Sequence, residues 1–132
     1  MIIPLIFLLA SAFGTPAQTS AVQIEGVQNP ETLAAYVKQY YADEPILADI
    51  AWCESRMRHT GKDGDIFRGE KNDQDIGVMQ INTRYHEATA TEMGIDLESL
   101  QGNLAYAKYL YEKQGTKPWN SSKACWSKIS SK

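Results

Sequence analysis

Two cysteines, Cys53 and Cys125, do most to limit what this chain can fold into. They stand 72 positions apart (125 − 53). In an exported chain an even cysteine count points to one disulfide. Such a bridge would tie the segment around Cys53 to the C-terminal part of the chain. Closing so long a loop removes enough freedom from the unfolded state to be worth about 4 kcal/mol in the entropic account. Two buried free thiols are the alternative. A shared metal is not indicated, because no His or further Cys lies at ligand spacing from either one.

Export is indicated by the first residues. Met1 to Gly14 carry no charge and contain Ile-Ile-Pro-Leu-Ile-Phe-Leu-Leu-Ala, which is similar to the apolar region of a signal peptide. Cleavage is expected after Gly14 or Ala17. No Lys or Arg precedes the apolar run, so an uncleaved N-terminal anchor is the other reading, although the run is short for a full span. Residues 1–17 are therefore read as leader or anchor, 18–28 as a flexible polar lead-in, 29–126 as one domain and 127–132 as a tail. The total of 132 residues is enough for one core and too few for two. The expected location is periplasmic, cell-envelope or secreted.

The net charge of −3 is unevenly spread. From Asn103 onward six Lys face only Glu112, a balance of +5, so residues 1–102 carry −8 (−3 − 5). The basic end is read as a solvated lysine face. An acidic balance with no recurring basic and aromatic motif gives no reason to expect nucleic acid.

Asn29-Pro30-Glu31 has the form of a helix start, and Leu33, Tyr36, Val37 and Tyr40 are expected to face inward from that helix. A second helix is expected from Pro45 to about Arg56. A Gly- and Asp-rich stretch, 59–74, follows. Asp65-Ile66-Phe67 and Ile76 to Ile81 read as short strands. A third helix is expected over Thr83–Met93 with Gly94 as its stop. Asp96 would cap a short turn, and Asn103 would open a last long helix carrying Leu104, Ala107, Leu110 and Tyr111 inward and ending at Gly115. The fold class is mainly α, with a small β element inserted after the second helix.

Glu54 is the first candidate for chemistry. Leu47, Ile50 and Glu54 follow the i, i+3, i+7 rule and share one helical face. A carboxyl on an apolar face near a helix C-terminus is penalised as an anion by desolvation and by the helix dipole. A group so placed can stay protonated and act as a general acid. The alternative is a packed stem whose head reaches solvent, Arg56 or Arg58.

Three segments stand in order: Glu54-Ser55, then Asp75-Ile76-Gly77-Val78-Met79-Gln80-Ile81-Asn82, then Asn103-Leu104-Ala105-Tyr106-Ala107-Lys108-Tyr109. Over about residues 30–126 this pattern resembles the lysozyme-like superfamily, above all the small lytic transglycosylases that accompany secretion and conjugation machines. The resemblance implies an α+β lysozyme-like fold and cleavage of the bond between N-acetylmuramic acid and N-acetylglucosamine. It implies that Glu54 serves as acid and then base, giving 1,6-anhydro products. The alternative is a lysozyme-type muramidase in which Asp75 supplies the second carboxylate; a non-catalytic glycan-binding module is a third reading. The chain lacks the Ala-Tyr-Asn-Ala-Gly segment of the larger transglycosylases and has Gly115-Thr116-Lys117-Pro118-Trp119 instead.

The implied catalytic residues are Glu54 and Asp75. The implied substrate contacts are Ser55, Gly77, Met79, Gln80, Asn82, Asn103, Tyr106 and Tyr109. Six of these contacts have a plainer reading: Ser55 as helix cap, Gln80 and Asn82 as turn amides, Met79 and the two tyrosines as packing. Trp52 and Trp119 are read as core, and His59 and His86 as surface residues. No cofactor or metal is expected: Asp63, Asp65, Asp73 and Asp75 miss the calcium-loop pattern, with Phe67 where a ligand is needed. Expected partners are peptidoglycan strands, with a secretion or conjugation apparatus as a further candidate, for a monomeric protein.

Overall fold

The computed structural model describes residues 30–132. The leader, the lead-in and the Asn29 cap lie outside them. Among the described residues there are five α-helices and one antiparallel pair of strands, so the chain is mainly helical with a small β element.

Helix α1, Pro30–Tyr40, has Glu31 in its first turn and Lys38 in its last, both favourable to the helix dipole. Leu33 and Val37 are buried, and the row continues four residues on to Tyr41, not to Tyr40. Tyr40 is 37% exposed, contrary to expectation, because Tyr41 takes the inward place. Tyr41 donates its hydroxyl to the Leu104 carbonyl at 2.6 Å, across 63 residues of sequence.

Helix α2, Ile46–Ser55, buries Leu47, Ala48, Ile50, Ala51 and Ser55. It ends where Arg56 turns left-handed at φ 55°. Trp52 lies off that buried face and is 44% exposed, so it is not a core residue. It receives the Arg56 guanidinium over its ring at 5.2 Å.

The stretch 76–81 is not one strand. Strands β1, Asp75–Ile76, and β2, Ile81–Asn82, pair with Asp75 opposite Asn82 and Ile76 opposite Ile81. The chain reverses between them because Gly77 and Gln80 hold positive φ, 73° and 51°. The 65–67 segment contributes the single bridge Thr60–Ile66 instead of a strand, and Arg68 bridges to Ile76.

Helix α3 spans Thr83–Glu92, with Gly94 at φ 71° just past its end. Helix α4, Leu100–Gln114, starts three residues before the expected point. Ser99 caps it, accepting from the Gly102 N–H at 2.9 Å. Asn103 is thus inside the helix. A 3₁₀ segment, Lys117–Ser122, and helix α5, Lys123–Ser130, complete the chain. The second of these was not legible as a helix and runs past the expected domain end at 126. Helix α5 packs on α2, and the Cys53 and Cys125 sulfurs between them stand at disulfide distance, with Cα atoms 5.9 Å apart.

The turn between β1 and β2 is tied by side chains from three other parts of the chain. Buried Asn103 accepts from the Met79 N–H at 2.9 Å and donates to the Ile76 carbonyl at 3.1 Å and the Leu97 carbonyl at 3.0 Å. His59 accepts from the Val78 N–H at 3.2 Å. Trp119 donates to the Met79 carbonyl at 3.0 Å, and Trp126 donates to the Trp119 carbonyl at 3.0 Å. A side chain at Gly77 would begin 2.4 Å from Asn103 Nδ2. The missing side chain there makes room for Asn103.

Replacing Asn103 with Ala should strand three buried backbone groups. The expected cost is about 3 kcal/mol, or a melting point lower by roughly 10–20 °C. Calorimetry on the purified variant measures it; a drop of only a degree or two would mean that the turn is held by other contacts.

Candidate active site

Glu54 occupies the last turn of α2, half-buried. Its Oε1 accepts a 2.5 Å hydrogen bond from the Ser122 hydroxyl, 68 residues away. Ser122 closes the 3₁₀ segment. It is placed there by Trp119, packed in the core, and by Cys125, bonded to the neighbour of Glu54. Burial pushes the Glu54 carboxyl up from the usual carboxylate range; the Ser122 hydrogen bond pulls the other way, and the charge of Asp75 pushes up again.

Asp75 sits on β1, half-buried, and accepts from Asn82 Nδ2 at 2.9 Å. Asn82 has both ends engaged, since its oxygen also accepts from the Tyr85 N–H at 3.3 Å to cap α3. Gln80 donates to the Gly77 carbonyl at 2.9 Å, which sets its side chain against the turn. A side chain at Gly69 would begin 2.8 Å from Gln80 Oε1, so glycine there lets the Gly-rich loop close on the cleft.

Two adjoining cavities meet along this wall. One has a volume of about 530 Å³ and the other about 350 Å³. Glu54, Asn72, Asp75, Gln80 and Ser121 line both. The larger lobe extends past Arg56, Arg58, Phe67, Glu70 and Lys71. The smaller extends past Asn82, Tyr85, His86, Gln114 and Pro118. The structure therefore brings Glu54, Asp75, Gln80 and Asn82 together around one cleft.

Other expected site residues are elsewhere. Ser55 is buried, donating to the Ala51 carbonyl at 3.0 Å and accepting from the Arg58 N–H at 3.2 Å; it closes the helix end and does not meet the cleft. Met79 and Asn103 are fully buried, the first as core and the second as the tie described above. Gly77 faces Asn103. Tyr106 is 1% exposed; its hydroxyl meets His86 Nδ1 at 3.0 Å. Tyr109 packs on Tyr106 at 5.4 Å and lies outside both cavity walls.

The two histidines are not free surface residues. His59 is buried, and its Nε2 meets the Glu98 carbonyl at 2.7 Å. Donation by Nε2 and acceptance at Nδ1 define a neutral ring, and burial lowers the His59 pKa. His86 is half-buried against Tyr106 and its pKa is likewise lowered by burial.

Ser122, Ser121, Tyr85, Asn72 and the pair Arg56 and Arg58 were missed as cleft residues. The usable signal was Cys125: a bond to Cys53 obliges the residues near 125 to lie beside Glu54. Among the described residues no group of three or more His, Cys, Asp or Glu side chains could hold a metal. The chain matches no family model, and no curated protein or solved structure is significantly similar to it.

A carboxyl whose pKa is raised in the folded state binds its proton more tightly there. Its stabilising effect is complete below the ordinary value of 4.5 and is lost as pH rises through the raised folded value. Glu54→Gln cannot ionise. Its stability relative to wild type should therefore grow as pH goes from 4 to 8, measured by urea unfolding at each pH. A difference that stays flat across that range would place Glu54 in ordinary solvent.

Proposed function

We propose that this chain is a peptidoglycan lytic transglycosylase cutting the β-1,4 bond between N-acetylmuramic acid and N-acetylglucosamine. One observation carries the reading: a single glutamate, held towards its protonated form, sits where two cavities adjoin and shares their lining with a second carboxylate, Asp75. The order of the Glu-Ser, Asp-Ile-Gly-x-Met-Gln-Ile-Asn and Asn-Leu-Ala-Tyr segments supports it.

In this reading Glu54 gives its proton to the bridging oxygen as the bond to C1 breaks. The sugar left behind carries oxocarbenium character, which the charge on Asp75 favours. The Glu54 carboxylate then takes the proton of that sugar's own 6-hydroxyl, whose oxygen closes on C1. The product is a 1,6-anhydro ring, and Glu54 ends protonated as it began. Ser122 steadies the carboxylate between the two transfers.

A second reading is favoured by the placement of Asp75. With Asp75 lining the same cleft as Glu54, water could replace the 6-hydroxyl and the protein would be a muramidase. Export is part of the proposal. The cysteine pair fits an oxidising compartment. Among the described residues no helix is long and apolar enough to cross a membrane.

Glu54→Gln should lower cleavage of purified sacculi by at least about a thousandfold while the protein stays folded. Mass spectrometry of wild-type digests separates the two chemistries: anhydro-muropeptides for the transglycosylase, reducing ends one water heavier for the hydrolase. Activity should fall as pH rises through the raised Glu54 value, because the acid is then spent before it meets substrate. Wild-type protein that binds sacculi and leaves them whole would reduce the chain to a binding module.

A further inference from the structure

The two lobes of the cleft differ in charge. The larger one carries Arg56, Arg58 and Lys71, whereas the smaller one has no Lys or Arg on its wall. Among the described residues the one ion pair joins Lys108 to Glu44, so none of these three cations is neutralised by a carboxylate partner. Glu54, Glu70 and Asp75 share the lobe with them, none within ion-pair distance of the three cations.

Both guanidinium groups are held in place. Arg58 lies over the Phe67 ring at 4.2 Å and donates its Nε–H to the Ser55 carbonyl at 2.8 Å. Arg56 lies over Trp52 at 5.2 Å. Stacking fixes a guanidinium plane and leaves its edge donors free for a bidentate carboxylate. The backbone aims them: Arg56 and Met57 are consecutive left-handed residues, φ 55° and 57°, and Met57 is buried as the pivot between the two arginines. That conformation is unfavourable for residues with a Cβ and persists only where the surroundings impose it.

We propose that Arg56 and Arg58 form a carboxylate-binding subsite next to Glu54, which selects glycan bearing a carboxylate on its N-acetylmuramic substituent over neutral glycan. The carboxylate is either that of the lactyl group itself, once the stem is removed, or that of an attached stem peptide. This inference rests on the glycan-cleaving reading and names its substrate more narrowly.

Glu54→Gln protein is titrated with three ligands of equal length: muramoyl glycan with stems, the same strand after enzymatic stem removal, and neutral chitotetraose. Carboxylated strands should bind about tenfold tighter than chitotetraose. Adding Arg56→Gln and Arg58→Gln should erase that advantage and leave chitotetraose affinity unchanged. Whichever of the stemmed and stripped strands holds the advantage identifies the source of the carboxylate. Raising salt on the unaltered arginine background should shrink the advantage too, so the result does not depend on the variants alone. Equal affinity for all three ligands, or an equal loss on all three when the arginines are replaced, overturns the subsite. Wild-type digestion of sacculi is scored separately. Preference without cleavage keeps the subsite and removes the enzyme; cleavage without preference does the reverse.

Discussion

Everything around the cleft depends on one buried amide. Asn103 reaches from α4 to the backbone of residues 76–79 and satisfies groups that no ladder could pair in so short a hairpin. Buried N–H and C=O groups left alone would each cost about 1–3 kcal/mol. His59 and Trp119 finish the task from two other directions. The hairpin is only two residues per strand, yet its turn is rigid because three distant side chains share its hydrogen bonding. That rigidity fixes Asp75 and Gln80 in the cleft that Glu54 also lines.

The helices were legible because their signals are local. Pro30 and Glu31, the Gly94 stop and the Gly115 stop all stand where a helix begins or ends. Glu54 was legible for the same reason, as a charge on an apolar face. Asn103 was misread because an Asn near a helix start looks like a cap, while Ser99 already fills that role. Met79, Tyr106 and His59 were misplaced because their partners are remote: Trp119, His86 and Glu98 cannot be inferred from neighbours in sequence. Ser122 stood in plain sight, but only the cysteine pairing could connect it to Glu54.

The cleft is also where the molecule gives up stability. Partial burial penalises the Glu54 anion, Asp75 adds its charge, and two left-handed residues follow at once. Each feature disfavours the folded state; the helix packing behind them, tied by Tyr41 to Leu104 and by Trp126 to Trp119, offsets the cost. Such concentration of unfavourable features in one crevice is common where chemistry is done.

The count of thiols has a last consequence for how the chain matures. With Cys53 and Cys125 the only two in the sequence, a single chain has one way to close and no scrambled isomers to escape from. Oxidative folding therefore needs an electron acceptor but no reshuffling. The one wrong product is a bridge between two copies, a bimolecular error that dilution suppresses.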